Sequence, residues 1–124
     1  MLRTALSSVL LAAILAPALA QSPVDIGLFR NGDKLEVKLR PGADFDGIVS
    51  SVVFTVRWDR NSGAALGTIQ QTGAPAQYLP MMKSGAVREN GAFNYQVYAG
   101  FGMTPLADLE AAWRAGQEVV VASI

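Results

Sequence analysis

The chain has 124 residues with ten basic and ten acidic side chains, so its formal net charge is zero, and it contains neither histidine nor cysteine. Nothing in this balance suggests the basic patch or stripe of a nucleic-acid-binding protein. Without histidine and cysteine there is no Ser-His-Asp triad or Cys-His pair, and a zinc site would lack its preferred nitrogen and sulfur ligands. The composition favours a protein that is not an enzyme, and it points to no cofactor.

The first twenty residues have the three-part pattern of a secretory signal peptide. Residues 1–3 (MLR) are a short basic start, residues 5–16 (ALSSVLLAAILA) are apolar, and residues 18–20 (ALA) supply the small side chains of a cleavage site. A spanning helix needs about 20 apolar residues, so the run is too short for a membrane anchor. We therefore predict a signal peptide at 1–20 and one domain at 21–124. We expect a secreted, periplasmic or cell-surface protein with no membrane span after cleavage.

The first predicted elements after the signal peptide are two strands joined by a tight turn. Residues 24–30 and 34–40 are separated by Asn31-Gly32-Asp33, and Asn-Gly is a strong hairpin signal. In the second strand apolar and charged residues alternate strictly, as in a strand with one face in water. Its predicted inward residues are Leu35, Val37 and Leu39.

The middle of the chain predicts one long strand followed by weaker elements. Residues 48–58 (IVSSVVFTVRW) are rich in β-branched and aromatic residues, which predicts a strand in the middle of a sheet. Its predicted core face is Val52, Phe54, Val56 and Trp58. Residues 64–71 predict a shorter strand. Residues 72–91 predict a long irregular stretch whose apolar segment, 78–82 (YLPMM), holds it against the core.

The last third of the chain predicts a strand, a helix and a final strand. Residues 92–99 alternate, and the pattern places Phe93, Tyr95 and Val97 on one face. Thr104-Pro105 is a typical helix start, which predicts a helix over about 105–115 with an apolar stripe. The members of that stripe are Leu106, Leu109 and Trp113. Residues 118–124 predict a strand that is buried on both faces.

These elements together predict a mainly β protein, an antiparallel β-sandwich of immunoglobulin-like or cohesin-like type with one short helix near residues 105–115. The sequence stops inside or just after its last predicted strand. We therefore expect a domain that lacks C-terminal strands of its own, or one that completes its sheet in another way.

Several stretches resemble exported bacterial domains of cohesin-like or carbohydrate-binding-module-like type. They are residues 35–40 (LEVKLR), 45–47 (FDG), 53–58 (VFTVRW), 93–102 (FNYQVYAGFG) and 113–118 (WRAGQE). The resemblance implies a nine-stranded sandwich with a role in sugar binding or protein docking, often at the N-terminus of a larger surface protein. It carries over no individual functional residue.

One candidate ligand site lies on the strand over residues 92–99. Alternation places Asn94, Gln96 and Tyr98 on its solvent face, with Phe101 just beyond. A tyrosine ring can stack on a sugar while neighbouring amides bond its hydroxyl groups, which suits a shallow site with few polar anchors. The alternative interpretation is an ordinary strand face with one half-exposed tyrosine.

Short oxygen-bearing side chains in two predicted turns could bind calcium, which takes six to eight oxygen ligands. They are Asp44, Asp46, Asp59 and Asn61. Such residues in turns usually bond only to the local backbone, so we predict no metal site.

The sequence thus supports three hypotheses. The first is an exported, non-enzymatic β-sandwich module that acts in binding or docking, with a polysaccharide or a protein as partner. The second is a carbohydrate-binding module. The third is a structural module whose open sheet edge is completed by strand addition from another chain.

Overall fold

The computed structural model describes residues 23–124, so the predicted signal peptide lies outside the described residues. Within them, six β-strands form two antiparallel, three-stranded sheets. The first sheet has the order β1-β2-β6 and the second has the order β3-β5-β4. The strands are β1 (Val24–Asn31), β2 (Lys34–Pro41), β3 (Ser51–Asp59), β4 (Met81–Asn90), β5 (Phe93–Phe101) and β6 (Val119–Ser123). The prediction of a mainly β fold is confirmed.

The predicted hairpin is present as β1 and β2, which pair without irregularity from Val24 and Pro41 to Asn31 and Lys34. Gly32 takes a φ of 63° in the two-residue turn, a conformation that glycine adopts without steric cost. On β2 the predicted inward residues Val37 and Leu39 are buried. Alternation and turn chemistry therefore act together to define this part of the first sheet.

Strand β6 pairs with the other edge of β2 and contains a β-bulge. Val37 pairs with Ala122 and Lys38 pairs with Val120, which leaves Val121 as an extra residue between them. Val121 and Ala122 are both buried, whereas Val120 is exposed. The prediction that this strand is buried on both faces is therefore wrong at Val120.

In the second sheet the central strand is β5, because it pairs with both β3 and β4. The prediction that residues 48–58 form a middle strand is wrong: β3 is an edge. Its predicted faces are correct, with Val56 buried and Ser51, Val53, Thr55 and Arg57 exposed. Trp58 is half-buried, and its indole Nε1 donates a hydrogen bond to the carbonyl oxygen of Ala64 at 3.0 Å.

The stretch between β3 and β5 differs most from the prediction. Residues 64–71 form no strand, and only Gln70 makes an isolated bridge, to Ser123. A short helix α1 (Pro75–Tyr78) follows, and the segment predicted to be irregular continues into β4. In the predicted apolar segment 78–82, Tyr78, Leu79 and Met81 are buried as predicted, whereas Met82 is exposed.

The predicted helix over 105–115 is reduced to one 3-10 turn over Leu106–Leu109. Glu110 then takes a left-handed conformation with a φ of 52°, which ends the turn. Beyond it Trp113 exchanges two backbone hydrogen bonds with Phe45, at 2.7 and 3.0 Å. Trp113 is buried in the core, as predicted, but an extended segment and not a helix places it there.

Both sheets contribute to one hydrophobic cluster, which is consistent with a β-sandwich. The members from the first sheet are Val37, Leu39, Val121 and Ala122, and Met81 comes from the second. The connections add Tyr78, Leu79, Leu106 and Trp113.

The two lateral sides of this arrangement differ. On one side the side chain of Gln71 donates hydrogen bonds to the carbonyl oxygens of Val121 on β6 and Leu79, and accepts one from the amide of Met81 on β4. The distances are 3.0, 2.8 and 2.8 Å respectively. On the other side the first residues of β1 and β3, Val24 and Ser51, line an open groove. We call these the closed side and the open side.

Candidate functional site

The predicted ligand-binding residues lie on β5 but do not share a solvent face. Gln96 is 2% exposed and Tyr98 is 0% exposed, because both side chains lie on the inner face of the second sheet. Phe101 is exposed on the opposite face, and Asn94 is partly buried. The prediction that Asn94, Gln96 and Tyr98 form a solvent face is therefore wrong, while binding at Phe101 stays a prediction.

Gln96 and Tyr98 have structural contacts instead. The side-chain amide of Gln96 donates to the carbonyl oxygen of Gly85 at 3.0 Å, within an irregularity of β4 between Ser84 and Arg88. Tyr98 stacks on Phe54 with ring centroids 5.3 Å apart. Its hydroxyl group is buried without a hydrogen-bond partner among the described residues, and this burial raises the pKa of Tyr98. A tyrosine in this position cannot stack on a sugar.

The exposed apolar surface of the first sheet lies on β1. Val24, Ile26 and Leu28 are 47%, 45% and 40% exposed. They pair directly with Pro41, Leu39 and Val37, which are buried, and directly paired residues share a sheet face. The apolar inner face of the sheet therefore extends one strand beyond the buried core. We call these three residues the β1 apolar row.

A groove of about 530 Å³ adjoins one end of this row. Its lining includes Val24, Phe45, Ile48, Val49, Ser51 and Trp113. The buried Trp113 is fixed by the ring of Phe45, whose centroid is 5.8 Å away, and by a hydrogen bond from its Nε1 to the hydroxyl oxygen of Tyr78 at 3.3 Å. Phe45 and Ile48 are exposed. The groove is therefore mainly apolar and has a rigid floor.

The charges at the groove's rim are already satisfied. Asp44 accepts a hydrogen bond from the amide of Ala115 at 2.8 Å and forms an ion pair with Arg114 at 3.6 Å. The carboxylate of Asp44 thus fixes the segment that follows the 3-10 turn. Because it is already paired, Asp44 adds no free charge to the groove.

The backbone of β1 is also free on one side. Leu35 of β2 exchanges its backbone hydrogen bonds with Ile124, so the amide and carbonyl of Leu35 point away from β1. Its cross-strand partner Arg30 therefore directs its own amide and carbonyl away from β2, and every second residue of an antiparallel strand does the same. Within residues 23–124 nothing pairs with these groups. They belong to Arg30 and to the β1 apolar row, Val24, Ile26 and Leu28.

Two other edges are protected in ways that β1 is not. The free edge of β6 is covered where Gln70 exchanges two backbone hydrogen bonds with Ser123, at 2.7 and 2.8 Å. Strand β4 is interrupted by its bulge. Bulges and covering loops are common protections against edge-to-edge pairing. Strand β1 has neither a bulge nor a proline, and its Asp25 is neutralised by Arg40 at 3.0 Å.

The aspartates considered as calcium ligands bond to the backbone. The Oδ1 atom of Asp59 accepts from the amide of Asn61 at 2.8 Å, and Asp44 holds Ala115 as described. No group of three or more carboxylates suited to a metal ion occurs over residues 23–124. In the same range no helix has the length and apolar character needed to cross a bilayer.

Comparison of the chain with protein-family models, with curated proteins and with solved structures gives no match in any of the three.

Proposed function

We propose that this protein is a non-enzymatic binding module that takes up an extended segment of a partner protein by strand addition along β1. One observation carries the proposal: an exposed apolar row lies beside a free backbone edge. In strand addition the backbone hydrogen bonds supply affinity, while contacts to alternate side chains supply specificity. Strand β1 offers both components over Val24–Asn31.

The surface defines the chemistry of the partner segment. Side chains of a strand alternate between the two faces of its sheet, so a segment paired with β1 places every second side chain beside the β1 apolar row. Those side chains have to be apolar to cover Val24, Ile26 and Leu28. At the Val24 end the same segment reaches the groove above Trp113.

The proposal retains the cohesin-like character and the export expected from the sequence. Docking of proteins is one of the two roles that the resemblance implies. Secretion after cleavage of residues 1–20 would place the partner outside the cytoplasm. The structural support for the proposal comes from the first sheet and the groove beside it.

The test uses a synthetic peptide of residues 23–31 (PVDIGLFRN) as the probe, since it has apolar residues at the required alternate positions. We expect calorimetry to detect binding to the full chain. Ile26→Lys, which places a charge in the β1 apolar row, should abolish binding. Val53→Lys changes another exposed apolar residue, on the outer face of the second sheet, and should leave binding unchanged.

A second probe separates lost pairing from a folding defect. The same peptide with N-methyl groups on alternate amides keeps its side chains but loses backbone donors, and it should not bind the wild-type chain. No binding of the unmodified peptide, or equal binding of both peptides, would overturn the proposal. If the wild-type chain formed a dimer and Ile26→Lys were a monomer, the occupant of the β1 edge would be a second copy of this chain and not a partner protein.

A further inference from the structure

The outer face of the second sheet carries a tyrosine with one arginine on each side of it. Arg57 of β3 and Arg88 of β4 both pair directly with Tyr95 of the central strand β5. Directly paired residues share a face, so the three side chains form one row across the sheet, which we call the Arg-Tyr-Arg row. Phe93 lies on the same face, two residues along β5.

Neither arginine of this row is neutralised. The ion pairs among residues 23–124 are Lys38–Glu118, Arg40–Asp25, Arg60–Glu89 and Arg114–Asp44. Arg57 instead stacks on Phe93, with its guanidinium carbon 4.2 Å from the ring centroid. Both arginine side chains are exposed. Their hydrogen-bond donors are therefore open to an anion from solution.

The aromatic rings between and beside the arginines form a partly buried apolar surface. The centroids of Phe93 and Tyr95 are 6.5 Å apart in an edge-to-face arrangement, and both residues are half-buried. A half-buried ring keeps a fixed orientation and offers an apolar face beside a polar rim. Such a surface suits a ring-shaped ligand with an apolar face, such as a sugar.

We infer that the Arg-Tyr-Arg row binds an anionic polysaccharide whose sugars carry carboxylate groups. Arginine holds a carboxylate through two parallel hydrogen bonds, a stronger contact than a neutral hydroxyl group makes. Neighbouring strands lie ~4.8 Å apart, so the backbones of Arg57 and Arg88 are about 10 Å apart. Recurring carboxylates along one polymer chain can bridge such a distance while a sugar ring stacks on Tyr95.

A nucleic acid fits this face less well. Its recognition needs a stripe of basic side chains along a phosphate backbone, whereas the row has two arginines in a chain of zero net charge. The row also lies on the face of β5 opposite to the one that the sequence predicted for sugars. It is on a different sheet from β1, so it is independent of strand addition.

The test uses affinity electrophoresis of the full chain in gels that contain polygalacturonate. We expect wild-type migration to be retarded, and the double variant Arg57→Gln, Arg88→Gln to lose about tenfold in affinity because charge-assisted hydrogen bonds are removed. The matched control is Lys34→Gln, Lys83→Gln, which makes the same change in net charge at two exposed basic residues that lie outside the row and outside the four ion pairs. It should retain wild-type affinity. Circular dichroism spectra should show that both double variants are folded.

Three outcomes would overturn the inference. Equal weakening in the two double variants would mean general charge attraction. Equal retardation by the neutral methyl ester of the polymer would remove the role of the carboxylates. Tighter binding of single-stranded oligothymidylate than of polygalacturonate would make the row a nucleic-acid surface.

Discussion

Gly102 lies where two backbone segments come into contact. Its amide donates a hydrogen bond to the carbonyl oxygen of Ser50 at 3.1 Å. A Cβ atom at this position would overlap the carbonyl oxygens of Tyr78 and Val49. Because these are backbone atoms, they cannot move away as a flexible side chain would. The sequence pattern gave no indication of this close approach.

We predict that Gly102→Ala destabilises the chain by about 3 kcal/mol, the upper range for overpacking. Urea unfolding followed by tryptophan fluorescence measures the effect. Gly67→Ala is the matched control, since no atom lies within 4 Å of a Cβ there and the backbone needs no positive φ. Its free energy of unfolding should change by less than about 0.5 kcal/mol. Equal losses in the two variants would contradict the close approach at Gly102.

Two buried tyrosines make stability dependent on alkaline pH. Burial raises the pKa of Tyr78 and of Tyr98, and the hydrogen bond from Trp113 lowers that of Tyr78 by a smaller amount. The folded chain therefore holds these protons at a pH where the unfolded chain has lost them. The stabilisation is complete below the unfolded pKa of about 10 and is lost as pH rises through the folded values.

Replacing each of these tyrosines by phenylalanine should make the alkaline loss of stability smaller, but the two variants should differ at pH 7. Tyr98→Phe removes a buried hydroxyl group without a partner, so stability should stay equal or rise. Tyr78→Phe removes the acceptor of Trp113 and should cost about 1 kcal/mol. Urea unfolding between pH 7 and 11 tests both expectations. If the free energy of unfolding of Tyr98→Phe fell with pH as steeply as that of wild type, Tyr98 would not contribute to the alkaline loss of stability.

At the scale of elements, Gln71 connects β6 to the start of β4. Its side chain makes three hydrogen bonds with backbone groups of Leu79, Met81 and Val121. One of these hydrogen bonds is to the carbonyl oxygen of Val121, the bulged residue of β6, which has no partner on β2. The bulge and Gln71 thus together join the two sheets.

Gln71→Ala should lower the free energy of unfolding by about 2–3 kcal/mol, because three partly buried backbone groups lose their partners. The neighbouring Gln70→Ala is its control. Gln70 bonds to Ser123 through its backbone, and its exposed side chain accepts a hydrogen bond from Lys34 at 3.2 Å. That variant should stay within about 0.5 kcal/mol of wild type in thermal unfolding. A similar loss in both would show that the side chain of Gln71 is not the link.

The strands that were predicted correctly are those whose alternation is unbroken. In β2 charged and apolar residues separate completely, and Asn31-Gly32 marks the turn before it. In β4 the bulge between Ser84 and Arg88 interrupts the period, so the pattern resembles a loop. The predicted helix has the right local spacing, yet Trp113 pairs with Phe45 instead, a contact between distant residues.

The candidate surfaces depend on information that alternation does not contain. Both faces of β5 mix aromatic and uncharged side chains, so the period of two does not say which face is inward. Gln96 is inward because its side-chain amide donates a hydrogen bond to the carbonyl oxygen of Gly85 in the bulge of β4. The Arg-Tyr-Arg row requires the register of three strands, which no local pattern gives. The alternation of Val24, Ile26 and Leu28 is visible in the sequence, but their exposure is not.

At the scale of the whole molecule the two lateral sides are chemically different. The closed side is held by Gln71 and by the bridge between Gln70 and Ser123. The open side has the β1 apolar row and the groove above Trp113. A partner strand on β1 can therefore extend the first sheet without breaking any contact of the closed side.

The pairing of β2 has a consequence for the order of folding. Its contact with β1 is made across a two-residue turn, whereas Glu36 meets Ser123 near the other end of the chain. Contacts between distant residues carry the larger entropic cost of loop closure, and β proteins dominated by them fold in about milliseconds to seconds. We therefore expect the β1–β2 hairpin to pair before β6 joins the sheet, with Val37 and Leu39 still exposed. Their cover comes from side chains of residues 78–122, in the second sheet, the connections and β6, so the hairpin keeps an apolar face exposed until those elements pack on it.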